Sequence, residues 1–177
     1  MAKNITPPNR EDMPYRDCAG CVLFNRDGAV FIGQRVPGNS GQLEHSWQFP
    51  QGGIDPNEKP IEAAIRELYE ETSIRSVSIL SAAPDWIFYD LPDDLLGKAL
   101  KGKYRGQRQK WFAFLFEGDE SEINVTHPAN GSHPAEFSSW KWAELSHVTK
   151  LIVPFKRDAY QQVVAAFRDV PQKLRAK

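Results

Sequence analysis

The sequence predicts a single α/β domain in which a mixed β-sheet is packed between α-helices. Runs rich in β-branched and aromatic residues alternate along the chain with only two convincing helical patterns, an order typical of a mixed sheet covered by helices. The chain has 177 residues, 41% of them apolar, including five Trp and ten Phe. That length is enough to bury one core, and that composition argues against disorder. Composition alone leaves α/β and α+β architectures open.

The first predicted strands form a hairpin. Cys18–Phe24 and Ala29–Gln34 are β-rich runs, and Asn25–Gly28 between them has the composition of a hairpin turn. A loop is predicted from Val36 to Glu44 because glycine, proline and asparagine are concentrated there. A short strand around Trp47–Phe49 follows and leads into a turn-rich segment.

Two helices are predicted. The first runs from about Pro60 to Thr72, with a proline suited to the first helical turn. The second begins at Pro154 and ends before Pro171, because apolar residues between them recur at the three- and four-residue intervals of a helix that packs on a core. The remaining predicted strands are Val77–Leu80, Trp86–Tyr89, Trp111–Glu117 and Phe137–Trp142.

Both ends of the chain are predicted to be loose. Residues 1–14 carry three prolines and mixed charges, which predicts a flexible N-terminal arm. Residues 171–177 include Lys173, Arg175 and Lys177 and are predicted as a mobile basic tail. The predicted domain therefore spans residues 15–170.

Charge and hydropathy limit the partners. The net charge is −1, so the chain as a whole is not drawn to nucleic acid, and a local patch must capture any polyanion. We predict no DNA partner. The first ten residues lack the apolar stretch of a signal peptide, and no apolar run approaches the roughly 20 residues that span a membrane. We therefore expect a cytoplasmic protein without a membrane partner. The oligomeric state is not predicted.

Cys18 and Cys21 have a C-x-x-C spacing, which is compatible with zinc or redox chemistry. There is no second pair and no His partner at ligand spacing, which argues against zinc. Residues i and i+3 of a strand point to opposite faces. We therefore interpret both cysteines as structural.

Three glutamates on the first helix form the most informative cluster. At about 100° per residue, Glu67, Glu70 and Glu71 lie within roughly one 100° sector, away from the apolar face. They repel one another and lie near the helix C-terminus, where the helix dipole disfavours negative charge. A solvated acidic face is one explanation. A bound divalent cation is another, because Mg²⁺ and Mn²⁺ prefer carboxylate oxygens.

The surroundings of this cluster match a longer pattern. The spacing G-x5-E-x7-R-E-U-x-E-E-x-G-U, where U is aliphatic, describes residues 52–74. This region resembles the Nudix box. The late glycine of the pattern is Ser73 here, which must then adopt the left-handed conformation that glycine normally takes. The matching residues are Gly52, Glu58, Arg66, Glu67, Leu68, Glu70, Glu71 and Ile74.

Further segments extend the resemblance from about Tyr15 to Asp169. Together they are similar to the bacterial Nudix branch of RNA 5′-pyrophosphohydrolases and dinucleoside polyphosphate hydrolases. The resemblance implies the Nudix fold, a mixed sheet sandwiched between helices. These segments are His45–Gln51, Gly106–Phe112, Glu136–Trp142 and Phe155–Arg157.

The resemblance also implies a metal site. Mg²⁺, for which Mn²⁺ or another divalent cation could substitute, would be held by the three box glutamates with Glu136 and the Gly52 carbonyl. One of these glutamates would act as the base, and which one is left open because close carboxylates titrate together. Arg66 belongs to the same catalytic set and could tie the preceding loop to the helix through Glu58.

Substrate-binding residues are expected outside the box. The resemblance implies a phosphate contact for Arg35 and Lys156, and base stacking for Phe155, which could instead be a core aromatic. Tyr89 and Tyr104 are weaker stacking candidates. Between Lys98 and Lys110 lies a run of six basic residues without an acid, either a solvated loop or an anion cradle. From this region we add Arg105, Gln107, Arg108 and Lys110 to the predicted substrate contacts.

Two substrates fit the predicted metal site and substrate contacts equally well. One is a triphosphorylated RNA 5′ end, and the other is a dinucleoside polyphosphate such as diadenosine tetraphosphate, cleaved to ATP and AMP. A non-catalytic nucleotide-sensing or RNA-binding module is the alternative, although no box carboxylate is lost. A sugar-nucleotide or coenzyme pyrophosphatase would be expected to carry different side chains in the Gly106–Phe112 and Phe155–Arg157 segments.

Overall fold

The computed structural model describes residue 6, residues 8–37 and residues 46–177. These residues contain one mixed sheet and three α-helices. The strands are β1 (Tyr15–Phe24), β2 (Val30–Arg35), β3 (Trp47–Gln48), β4 (Gln51–Gly53), β5 (Val77–Ala82), β6 (Ile87–Asp90), β7 (Gly106–Phe116) and β8 (Phe137–Ala143), and the helices are α1 (Pro60–Thr72), α2 (Arg157–Phe167) and α3 (Val170–Arg175).

The centre of the sheet is a parallel pair. β1 and β7 pair from Tyr15 opposite Gly106 to Phe24 opposite Leu115. The other pairings are antiparallel and give the order β3-β2-β1-β7-β5, with β4 also paired to β1, β6 to β7 and β8 to β2. The predicted mixed sheet is confirmed.

Helices cover both faces of this sheet. Successive residues of a strand point to opposite faces, so Leu23 packs in the cluster that contains Leu68 of α1, whereas Val22 packs in the cluster that contains Tyr160 of α2. Each of these side chains is almost completely buried. The predicted sandwich of a sheet between helices is therefore confirmed.

Tyr160 also fixes the segment between β3 and β4. Its ring stacks on Phe49 with centroids 5.2 Å apart, and its hydroxyl accepts a hydrogen bond from the Phe49 N–H at 3.0 Å. Because Phe49 lies between Gln48 and Gln51, this contact holds the end of β3 and the start of β4 in place.

Helix α1 has the bounds that its sequence predicts. The Lys59 N–H donates to Glu62 at 3.2 Å, and Pro60 occupies the first turn. The helix ends at Ser73, which has φ 67° and ψ 2°. Ser73 thus adopts the left-handed conformation expected where the family pattern has glycine.

Several elements differ from the prediction. β7 begins at Gly106 rather than Trp111, because its first residues pair with β1, and the short strand β4 was not predicted. The segment Pro154–Lys156 is a 3₁₀ turn before α2. The residues predicted as a mobile tail instead belong largely to α3. Pro171 of this helix is buried, and a Cβ added to Gly28 would lie 2.9 Å from the Cα of Pro171.

The described part of the predicted N-terminal arm contains a short turn. Residues Arg10–Asp12 form a 3₁₀ turn, and the Arg10 guanidinium pairs with Asp93 at 2.7 Å. The predicted loop Val36–Glu44 falls largely outside the described residues, as does His45. In the described part of the chain, no helix is long and apolar enough to cross a membrane.

Both cysteines are buried and free. The Cys21 thiol donates to the Ala64 carbonyl at 3.0 Å, and burial raises the pKa of both thiols, that of Cys18 to about 12. The structural interpretation of this pair is confirmed.

Candidate active site

A cleft of about 570 Å³ opens at the end of the sheet where β1 and β7 begin and β2 ends. One wall is acidic and comes from α1. The opposite side carries basic and apolar residues from β1, β2, β6, the loop after β6 and the segment before α2. The cleft therefore brings together chain segments that are far apart in sequence.

Glu71 is the most buried carboxylate of the acidic wall. Its side chain is buried, the residue is 4% exposed, and Oε2 accepts a hydrogen bond from the Gln51 N–H at 3.2 Å. Burial raises the pKa of Glu71 well above its usual value, and the charges of Glu67 and Glu136 add to this effect. One hydrogen bond leaves this buried carboxylate poorly compensated, and a bound cation would compensate its charge.

Glu67 lies directly against the backbone of β4. A Cβ added to Gly52 would clash with the Glu67 carboxylate. Burial raises the pKa of Glu67, whereas the Arg66 guanidinium acts in the opposite direction. Only glycine at position 52 leaves room for this carboxylate beside the peptide chain.

Arg66 organises the loop before α1. Its Nε and Nη2 donate to Glu58 at 2.7 and 2.9 Å, and Nη2 also donates to the Gly53 carbonyl at 2.8 Å. Nη1 contacts Glu67 at 2.9 Å and Glu70 at 3.3 Å. These contacts raise the pKa of Arg66, with the Glu58 hydrogen bond as the largest cause. Arg66 does not line the cleft, so the structure assigns it a positioning role.

The donor set fits a hard divalent cation. Carboxylate oxygens of Glu67, Glu70 and Glu71 line the same cleft as Gly52 and Glu136, and oxygen ligands are the type that Mg²⁺ and Mn²⁺ prefer. In the described residues, no three Asp, Glu, His or Cys side chains already stand close enough together to hold a metal. Arg66 occupies oxygens of two of these glutamates, so a cation would compete with its guanidinium for them.

Three cations face the acidic wall. Arg35 and Lys156 line the cleft as predicted, and Arg16 joins them. Lys156 is only 7% exposed, and burial, followed by the charge of Arg35, lowers its pKa to about 8. Its Nζ lies 5.3 Å from the centre of the Tyr89 ring.

Arg16 was missed by the sequence analysis. It lies at the start of β1, opposite Gln107 of β7 in the parallel ladder. A Cβ on Gly53 would lie 2.5 Å from its Nη2, so the guanidinium reaches across the β4 backbone. No local pattern marks this residue, because its position in the cleft depends on pairing between strands that are distant in sequence.

Phe155 and Tyr89 form an aromatic part of the wall. Their ring centroids are 5.8 Å apart, and Leu91, Leu95 and Leu100 continue the apolar surface. Phe155 also packs against the core cluster under α2. Both interpretations of Phe155 thus describe part of its environment, since one side faces the core and another the cleft.

Two arginines of the predicted basic run are paired with aspartates outside the cleft. Arg105 pairs with Asp90 at 2.9 Å, and Arg108 pairs with Asp17 at 2.7 Å while its guanidinium lies over Trp86 at 4.5 Å. Neither arginine lines the cleft, which corrects that expectation.

The other predicted contacts of this region are also separated. Lys110 donates to the Pro84 carbonyl at 3.2 Å and lies outside the cleft. Gln107 does line the cleft, and its Oε1 accepts from Gln109 at 2.9 Å. Tyr104 lines two smaller cavities next to the cleft instead.

The segment from Asn124 to Glu136, which precedes β8, is attached to the end of α1. Ser73 Oγ accepts from the Ala129 N–H at 2.9 Å, and the Asn124 N–H donates to the Thr72 carbonyl at 2.9 Å. Further along this segment, His133 Nε2 lies 3.7 Å from Glu70 Oε1. Glu136 is exposed and lines the cleft, as its predicted role requires.

The chain is similar to proteins of one family over most of its length. The NUDIX domain family matches residues 14–163. An RNA pyrophosphohydrolase of Brucella anthropi is 54% identical over 171 residues, covering 95% of this chain and 98% of the relative, and one of Rhizobium meliloti is 58% identical over 160 residues, covering 89% and 95%.

Solved structures show the same fold at lower identity. A Caenorhabditis elegans Ap4A hydrolase binary complex has a TM-score of 0.57 at 22% identity, covering 85% of this chain and 96% of that structure. An Escherichia coli dihydroneopterin triphosphate pyrophosphohydrolase has a TM-score of 0.59 at 19% identity, covering 86% and 98%.

Proposed function

This chain belongs to the Nudix family, and on that premise we propose that it hydrolyses phosphoanhydride bonds at the 5′ end of triphosphorylated RNA. The products would be pyrophosphate and an RNA with a 5′-monophosphate. The observation that carries this proposal is one cleft in which the carboxylates of α1 face Arg16, Arg35 and Lys156 beside an aromatic wall. Relatives that are 54–58% identical and named RNA pyrophosphohydrolase support it. An RNA substrate would place the reaction in the cytoplasm.

The acidic wall would organise the reacting phosphate. Glu67, Glu70 and Glu71, with Glu136 and the Gly52 carbonyl, are the groups that would hold Mg²⁺ or Mn²⁺, whose charge would neutralise the phosphate oxygens. Arg66 keeps the loop and helix that carry these groups at a fixed spacing. A carboxylate of this set would take the proton of the attacking water. Glu71, which accepts a hydrogen bond from the Gln51 N–H, and the exposed Glu136 are the two candidates.

The basic and aromatic walls would bind the rest of the substrate. Arg16, Arg35 and Lys156 supply positive charge for the polyphosphate, and charge-assisted hydrogen bonds to phosphate are stronger than neutral ones. Phe155 and Tyr89 offer a stacking surface for a base, which tolerates any sequence because every base has a π-face. The site would thus recognise a nucleotide end rather than a long sequence.

A dinucleoside polyphosphate is the second candidate substrate. It presents the same combination of terminal base and polyphosphate to the same walls, and one solved neighbour of the fold is an Ap4A hydrolase. The cleft alone does not distinguish the two molecules.

A competition assay tests the proposal. Purified protein is incubated with Mg²⁺, an RNA with a labelled 5′-triphosphate and diadenosine tetraphosphate, and the products are separated by chromatography. We expect preferential release of pyrophosphate from the RNA. Preferential formation of ATP and AMP would support the second candidate. Binding of both molecules without cleavage would support a non-catalytic module and contradict the proposal.

A further inference from the structure

A second cavity of about 240 Å³ adjoins the cleft. It shares Arg16 and Leu100 with the cleft, and its other lining residues are Lys101, Lys103 and Tyr104. We call it the side pocket. Three of its five lining residues are cations, and none is acidic.

Lys101 and Lys103 have no ionic partner in the part of the chain that the structure describes, whereas Arg16 is close enough to Glu67 for its charge to act on that carboxylate. In residues 8–37 and 46–177, the side chains of Arg16, Lys101 and Lys103 make no hydrogen bond or ion pair with another described residue. The neighbouring Arg105 and Arg108 are each paired with an aspartate. Three like charges around one small cavity repel one another, and a bound anion would relieve that repulsion.

The loop that carries the lysines is folded on itself. The Gly102 N–H donates to the Ala99 carbonyl at 2.9 Å, and the Lys103 N–H donates to the Leu100 carbonyl at 3.3 Å. Leu100 and Lys101 both have positive φ, 51° and 59°. Left-handed non-glycine residues cost free energy and cluster at functional sites. The loop therefore presents its two lysines from a defined backbone.

A neighbouring cavity of about 390 Å³ offers the opposite charge. It shares Arg16 and Tyr104 with the side pocket, but it is also lined by Asp17, Asp55 and Glu67. Each of those carboxylates is paired with Arg66 or Arg108, but together they still make this cavity less favourable for a phosphate than the side pocket, which has no acidic lining residue. A polyanion that extends out of the cleft past Arg16 is therefore directed to the side pocket.

We propose that the side pocket binds the phosphodiester that follows the 5′-terminal nucleotide of an RNA, with Lys101 and Lys103 as its phosphate contacts and Tyr104 against the next ribose or base. This inference rests on the proposed function and deepens it. A nucleoside triphosphate or a dinucleoside polyphosphate has no phosphodiester at this point. The side pocket would thus select RNA over the other molecules that fit the cleft.

Substrate length gives the test of catalysis. kcat/KM is measured with Mg²⁺ for ATP, diadenosine tetraphosphate and 5′-triphosphorylated RNAs of two and three nucleotides. The wild type should gain from the added nucleotides. The double variant Lys101→Ala, Lys103→Ala should lose about three- to tenfold in kcat/KM on the RNAs, as the loss of two exposed charge contacts would give, and far less on ATP.

A matched control comes from the same loop. Lys98 is exposed and lines neither cavity, so Lys98→Ala removes the same charge and should keep the gain with RNA length. Three results would each overturn the inference. The first is an equal loss of kcat/KM on RNA in Lys98→Ala, and the second is an equal loss on ATP and diadenosine tetraphosphate in the double variant. The third is an unchanged kcat/KM on RNA in the double variant.

A binding measurement separates this inference from the proposed function. The affinity for a trinucleotide with a 5′-monophosphate is measured against salt concentration, which requires no turnover. Each phosphate neutralised on a single strand contributes about 0.7 to the slope of log K against log salt, so the double variant, which loses the contacts to one phosphodiester, should lower the slope by about 0.7. An unchanged slope would contradict the side pocket even if the enzyme cleaves RNA. If the double variant lowers the slope but the wild type cleaves none of the substrates, the side pocket is supported and the proposed function is rejected.

Discussion

The carboxylate of Glu67 fills the space into which a side chain at Gly52 would project. The first residue of the family pattern and a glutamate of α1 are therefore in direct contact, although 15 residues separate them along the chain. This contact joins β4 to the acidic wall of the cleft. It makes the position of Glu67 depend on the absence of a side chain at position 52.

Gly52→Ala should displace Glu67 and lower kcat by about 100-fold, the size expected for a displacement of roughly 1 Å at a reacting centre. The fold should be retained, because the displaced carboxylate can move into the cleft. Gly53→Ala is the comparison variant, since its Cβ would meet the flexible end of Arg16, a proposed phosphate contact, rather than a glutamate, and it should therefore change KM more than kcat. Steady-state kinetics and calorimetry check both variants. Wild-type kcat in Gly52→Ala would show that Glu67 needs no fixed position.

Glu71→Gln should stabilise the metal-free protein near neutral pH. A carboxyl whose pKa is raised in the folded state contributes stability below its unfolded pKa, and this stability is lost as pH rises through the folded pKa. As pH rises above about 4.3, the free energy of unfolding of the wild type should therefore decrease, whereas that of the variant should not show this decrease. Thermal unfolding in EDTA at several pH values measures this. In Mg²⁺ the order should reverse, because the wild type binds the cation more tightly than the variant, which has lost one carboxylate ligand.

Lys156 should make substrate binding pH-dependent. Its pKa of about 8 means that its charge is lost as pH rises through that value, and KM should increase about tenfold between pH 7 and 9. Lys156→Met should have a higher KM that changes less over this range. Because the unfolded chain holds this proton up to about pH 10.5, the contribution of Lys156 to the free energy of unfolding rises between pH 8 and 10.5. A wild-type KM profile that matches the variant would exclude Lys156 from binding.

Phe155→Ala should raise KM for nucleotide substrates more than it lowers kcat. Stacking of one base on an aromatic ring contributes about 1–3 kcal/mol, which corresponds to about 5- to 150-fold in binding. Phe155→Leu keeps most of the packing against the core and removes the ring, so it separates the two roles. An unchanged KM in both variants would leave Phe155 as a core residue only.

Ser73→Gly should change the free energy of unfolding very little. Glycine relieves a left-handed strain of about 1–2 kcal/mol, while the loss of two hydroxyl hydrogen bonds costs about 0.5–1.5 kcal/mol each. The local effect should be larger, since the amide of Ala129 loses its partner. Hydrogen exchange should show faster exchange near Ala129 and unchanged protection in α1. A large global destabilisation would contradict this balance.

The sequence predicted those features that depend on local patterns. The bounds of α1 followed from a proline start, an apolar face and the box pattern, and each is a short-range signal. The residues that line the cleft could be predicted only where they lie in segments that resemble the family. Arg16 depends on the ladder between β1 and β7, and no pattern near it in sequence encodes that pairing.

The errors have a similar origin. A run of basic residues indicates charge but not its partners. It therefore did not distinguish Arg105 and Arg108, which are paired with aspartates, from Lys101 and Lys103, which have no ionic partner among the described residues. Helix α3 was missed because Pro171 was interpreted as the end of a helix, whereas proline is equally suited to the first turn of a new one.

The most direct test of the central claim is pyrophosphate release from a 5′-triphosphorylated trinucleotide, measured over a Mg²⁺ titration for the wild type and Glu71→Gln. The account predicts Mg²⁺-dependent release by the wild type, and a variant that remains folded, binds the RNA and is at least 100-fold slower, about the size of a lost transition-state contact. Release at the wild-type rate by Glu71→Gln, or release by the wild type in EDTA, would contradict it.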